Sequence, residues 1–117
     1  IRKHAAEYNS DAGRIGFCGS SAGGHLAAVA AMKTKGTLCF VGYAGVYDIT
    51  TAGLIQRTKD QGRKDYFLNL DNAALRKYNP IDLIPKKDIP YCQLFCGTGD
   101  SVVEYEQDNK SMTIFVS

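Results

Sequence analysis

Residues 16–25 read GFCGSSAGGH: two adjacent serines among four glycines, with a histidine close behind. A serine hydroxyl attacks a carbonyl only when a base takes its proton. The chemistry to look for is therefore acyl transfer, which needs a nucleophile, a base, a carboxylate that orients the base, and N–H donors for the developing oxyanion. The pattern Gly-x-Ser-x-Gly fits one frame, Gly19-Ser20-Ser21-Ala22-Gly23, because centring it on Ser20 would require glycine in place of Cys18 and Ala22. In such an elbow a strand turns directly into a helix, and the central side chain stands clear of the sheet on a strained backbone. Side chains two before and two after are expected to collide across the turn, which gives Gly19 and Gly23 their place. The helix that follows points its free N–H groups and positive dipole end at the same spot. Ser21 therefore takes the nucleophile position and Ser20 does not. The rival use of this geometry, a phosphate-binding loop, lacks its Lys-Ser/Thr ending, and the glycines do not space as G-x-G-x-x-G.

Two carboxylates compete for the role of acid. Asp100 follows Gly97-Thr98-Gly99 just past an apolar run, at the strand end where parallel sheets gather their sites. Asp48 also follows a strand and is the alternative; a turn or cap bond is the structural role open to either. His25 lies four residues past Ser21, one turn down the helix that leads away from the elbow. Its ring is expected to pack on that helix rather than reach across the hydroxyl. His4 sits on a different element. With no other histidine in the sequence, the base is expected from outside these residues.

The elements that must position these groups can be read from apolar spacing. Residues 1–8 carry Ile1, His4, Ala5 and Tyr8 at helical spacing and read as the end of a helix, stopped by Asn9, Ser10, Asp11 and Gly13. A strand is expected over 14–19, an Ala-rich helix over 22–33, and a strand over 37–43 without alternation, as when both faces are covered. Residues 56–65, QRTKDQGRKD, hold six charges in ten and must be largely solvated. A short helix over 72–78 has Asp71 as its N-cap and is closed by Asn79-Pro80. A third strand spans 91–96, and a helical run begins near Glu104. This order implies an α/β fold of three parallel strands with helices on both faces. The chain reads as a partial domain spanning 1–117, incomplete at both ends.

Composition sets the outer limits. A chain of 117 residues with 44% hydrophobic and 22% charged residues is ordinary globular material of one domain or less. The net charge of +2 is scattered and makes no case for nucleic acid. No apolar run approaches the roughly 18 residues of a membrane span. Cys18, Cys39, Cys92 and Cys96 form no CxxC pair, and with only two histidines a zinc site is not expected. Their apolar surroundings read as buried free thiols, which favours a reducing, cytoplasmic setting.

RIGFCGSSAGGHLAA, GVYDI, YNPIDLI and CGTGDSVVEYEQ, in this order, resemble the α/β-hydrolase superfamily. The nearest groups are its short-chain esterases, including acetylxylan-esterase-like and hormone-sensitive-lipase-like members. The likeness covers most of the chain and is weakest between residues 51 and 70. It implies Asp100 as the acid of a "GTxD" turn, although some relatives carry the acid at the position of Asp48. It implies the Ala22 N–H as one oxyanion donor, with the second on an upstream HGGG-type loop that this sequence lacks. The family order of Ser, Asp, then His argues against His25. Ala12 and Glu104 stand where proline is common. The implied activity is hydrolysis of short-chain acyl esters of small molecules or carbohydrates through an acyl-enzyme, with no metal or cofactor. These residues alone would be inactive, and no oligomeric state is implied. SAGGHLAA followed by GVYD also resembles kynurenine-formamidase-like amide hydrolases. A non-catalytic α/β binding module is the alternative from another class.

Overall fold

Three apolar segments pair side by side in the computed structural model, which describes residues 1–51 and 71–103. Strands β1 (Ile15–Ser20), β2 (Thr37–Tyr43) and β3 (Tyr91–Phe95) form one sheet in the order β1-β2-β3, with both pairs parallel. Parallel neighbours need crossovers. Helix α1 (Ala22–Lys33) makes the first. The second contains the short helix α2 (Asn72–Arg76) and a 3-10 turn, Pro80–Leu83. The class is the expected one, α/β with a parallel sheet.

Register carries the strand ends to one level. Ile15 faces Thr37 but Gly16 faces Cys39, so Leu38 is an extra residue; from there the pairing runs unbroken to Ser20–Tyr43 and, on the other side, Tyr43–Phe95. Ser20, Tyr43 and Phe95 thus form one row at the carboxyl edge. Side chains alternate between faces along each strand. Phe17, Phe40, Cys92 and Leu94 turn toward α1, whose Ala27, Ala28, Ala31 and Met32 close the core with Tyr47. The alanines keep α1 slim, so it lies close: a Cβ on Gly24 would stand 3.1 Å from the Gly45 Cα. Phe40 and Tyr47 are fully buried and meet edge to face at 5.8 Å. Burying each contributes about 1.5–3 kcal/mol.

Several expectations need correction. Residues 1–8 form two 3-10 turns, Arg2–His4 and Ala6–Tyr8, ending at Asn9 with φ 50°. Of the expected apolar face only Ala5 is buried. So short a segment, without a side-chain cap at either turn, does not sustain an α-helix. The first strand starts and ends one residue later than expected, and α2 stops at Arg76, with Asp71 capping it as expected through a 2.8 Å bond from the Ala74 N–H. The cysteines are free but not buried: Cys18 is exposed and the others are half-buried. Cys18 falls on the sheet face turned away from α1, where Tyr43, Tyr91 and Phe95 are also exposed among the described residues. Burial, with Cys39 nearby, pushes the Cys92 thiol up to about 11. The charged stretch 56–65 and the helical run from Glu104 lie outside the described residues.

Candidate active site

Ser21 stands between the last residue of β1 and the first of α1, at φ 53° and ψ −125°. Few non-glycine residues adopt positive φ, so this backbone is held by its surroundings. Its N–H donates to the Tyr43 carbonyl at 2.9 Å, and its own carbonyl accepts the His25 N–H at 3.2 Å. The side chain is exposed and makes no capping bond to α1. The hydroxyl is therefore not consumed by structure, as it would be at an ordinary serine N-cap. The first N–H groups of α1, beginning with Ala22, have no acceptor within the helix.

The elbow glycines are unequal. A Cβ on Gly19 would run into the Gly23 carbonyl and, at 2.9 Å, the Gly24 nitrogen, whereas a Cβ on Gly23 would meet nothing within 4 Å. The steric reason expected for both positions holds for Gly19 alone. The chain folds back so that residue 23 presents its backbone to residue 19, while the Cα substituent of residue 23 faces open space.

Asp100 reaches the same edge from β3. Its N–H closes a turn on the Gly97 carbonyl at 3.1 Å, and its Oδ1 accepts the Val102 N–H at 2.8 Å and the Val103 N–H at 3.0 Å. The bonds from Val103 and Val102 hold the carboxyl below its ordinary range against a small opposing effect of burial. The group is an oriented carboxylate at neutral pH. Since β2 separates β1 from β3, the two loops spring from strands about 10 Å apart.

Asp48 is engaged elsewhere. Its Oδ1 accepts the Thr50 hydroxyl at 2.6 Å, the Thr50 N–H at 3.0 Å and the Asn79 amide at 3.2 Å. Burial raises its pKa, but those bonds and the charge of Arg76 outweigh burial and lower it overall. Asn79, 2% exposed, also donates to Asp82 at 2.8 Å and accepts the Ile49 N–H at 3.0 Å, while Arg76 grips both oxygens of Asp82 at 2.9 Å. This cluster ties the segment after β2 to the one after α2.

The histidines fall away from the hydroxyl. His25 bonds through Nδ1 to the Val46 carbonyl at 3.1 Å; burial lowers its pKa and that bond partly offsets it. His4 pairs with Glu7 at 2.8 Å on the first turns, where Arg2 reaches the carbonyls of Lys35 and Gly36 at the opposite end of the sheet. A cavity of about 200 Å³ lined by Met32, Lys35, Thr37 and Pro85 also lies at that amino end, remote from Ser21. The sequence marks Asn79 only as the close of a helix, and it gives no role to Gly42 and Gly45. A Cβ on either glycine would strike the Tyr47 ring, and the signal was present as the spacing GYAGVY.

The sequence matches the BD-FAE family over residues 1–113. The chain belongs to the BD-FAE family. Its members are α/β-hydrolase-like and hormone-sensitive-lipase-like, in keeping with the parallel sheet and its elbow. The solved structure of a truncated carbohydrate esterase from gut microbiota superposes on this BD-FAE chain with a TM-score of 0.72 at 21% identity. That alignment covers 99% of this chain and 51% of the other, so this chain spans about half that structure's length. At this identity the likeness is one of fold. No curated protein matches the sequence. Ser21, Asp48 and Asp100 all lie inside the span matched to BD-FAE.

Proposed function

We propose that this BD-FAE chain supplies the nucleophile and the acid of a serine esterase acting on short-chain acyl esters, with acylated carbohydrates as the substrate class. The observation that carries the reading is Ser21 itself: an exposed hydroxyl on a strained backbone, uncommitted to capping, at the head of a helix. Family membership and the carbohydrate-esterase fold likeness support it.

In this reading Ser21 Oγ attacks the ester carbonyl carbon while a base removes its proton. The carbonyl oxygen becomes an oxyanion held by the Ala22 N–H and the positive end of α1. Collapse breaks the ester C–O bond, and the alcohol leaves with the proton returned by the base. Water then attacks the acyl-enzyme by the same route and frees Ser21. Asp100 orients the base and stabilises its protonated form. His25 is turned to Val46 and His4 to Glu7, so neither serves. The base and a second oxyanion donor come from outside these 117 residues, which alone turn nothing over.

The test is made on the full-length protein that carries these residues. A fluorophosphonate should add once, on Ser21, by peptide mass, and acetyl esters should turn over faster than N-formyl aryl amides. Preference for the amide would make the protein an amidase of the same mechanism. Absence of any adduct on Ser21 would reduce the elbow to a structural turn.

A further inference from the structure

Four non-glycine residues have positive φ among the described residues: Asn9, Ser21, Ala44 and Asp88. Asn and Asp visit that region readily; serine and alanine do so seldom. The two unusual residues are joined by one peptide group. The carbonyl of Tyr43 accepts the Ser21 N–H at 2.9 Å, and the N–H of the same peptide unit, belonging to Ala44, donates to the Phe95 carbonyl at 2.7 Å. One rigid plane therefore reaches the nucleophile elbow on one side and the strand leading to Asp100 on the other.

The φ of 44° at Ala44 turns the chain sharply off β2. Gly45 thereby comes against Gly24, and the Val46 carbonyl comes within 3.1 Å of His25 Nδ1. Both contacts fall on the first turns of α1. Residues 43–46 thus bond the elbow before Ser21's side chain and brace the helix behind it.

We propose that Ala44 is a positioning residue, whose N–H and left-handed backbone set the separation of Ser21 from Asp100. It rests on the esterase reading above. A shift of about 1 Å between reacting groups can lower a rate about a hundredfold, so the effect belongs in kcat rather than KM.

The experiment compares variants of the full-length protein, with kcat expressed per Ser21 titrated to end point by a fluorophosphonate. Titration removes the folded fraction from the comparison, so a merely structural role leaves kcat per site unmoved. Ala44→Pro loses the N–H and cannot take positive φ; it should lower kcat per site by about tenfold or more, with KM within about twofold. Ala44→Gly keeps the N–H and adopts the turn freely, and should rescue the rate. Should Ala44→Pro not fold, Ala44→Val decides: it keeps the N–H but resists the left-handed region, and kcat per site should fall with KM held. A folded Pro or Val variant with parental kcat per site overturns the proposal. Loss of the adduct and of turnover in Ser21→Ala checks the underlying reading separately.

Discussion

Holding Ser21 at positive φ costs about 1–3 kcal/mol, and the structure sustains it by removing one side chain, the Cβ absent from Gly19. Gly19→Ala must push residue 19 into the backbone of residues 23 and 24. A loss of about 1–3 kcal/mol is expected, as for overpacking generally. Gly23→Ala meets open space near the start of a helix and should leave Tm unchanged or slightly raised. Thermal unfolding of the two variants reads this asymmetry directly; equal losses would contradict the elbow geometry. The two carboxylates separate by the same kind of argument. Asp100→Asn should lower kcat by about 10⁴, the loss seen when the acid of a serine triad becomes an amide, while Asp48→Asn should spare kcat and cost stability. Because the Asp48 pKa is lowered in the fold, its contribution is present above its unfolded pKa near 3.9 and is lost as pH falls through the folded value. The Tm of the parent should accordingly drop more than that of Asp48→Asn between about pH 5 and pH 3. Equal slopes in a pair of melting series would remove Asp48 from the account of acid stability.

At the scale of elements, α1 and β2 were legible to the residue. Glycines and the Thr34–Lys35–Gly36 break punctuate an Ala-rich run and an apolar run of unmistakable length. The first eight residues were not, because i, i+3, i+4 spacing marks a face without saying whether anything covers it, and Ile1 and Tyr8 remain exposed. Burial of the cysteines failed for a related reason: alternation in β1 sends Cys18 to the face opposite α1, and apolar neighbours along the chain do not reveal that. Asn79 was read as a helix stop when it is a buried junction, since its three partners lie at positions 48, 49 and 82. Asn79→Ala strands the Ile49 N–H and releases two carboxylates from the amide. A cost of about 1–3 kcal/mol or more is expected in chemical denaturation, with kcat per folded molecule retained. A variant as stable as the parent would show that the junction is held by other contacts.

For the molecule as a whole, a three-stranded parallel sheet brings a serine loop and an aspartate loop to one edge with a single strand between them. Gly-x-Ser-x-Gly was readable locally, because the steric demand of the elbow is written in consecutive residues. The arrival of Asp100 at the same edge depends on strand order, which no local pattern contains: its place past the third strand was legible, and that a single strand lies between the two loops was not. The central claim is that Ser21, and not its neighbour Ser20, forms the acyl-enzyme. It is tested most directly by measuring kcat for an acetyl ester in Ser21→Ala and Ser20→Ala variants of the full-length protein. Ser20 ends β1 in register with Tyr43, one residue before the turn. The prediction is loss of turnover by orders of magnitude in Ser21→Ala and retention of most of the rate in Ser20→Ala. Comparable losses in both, or survival of turnover in Ser21→Ala, would contradict it.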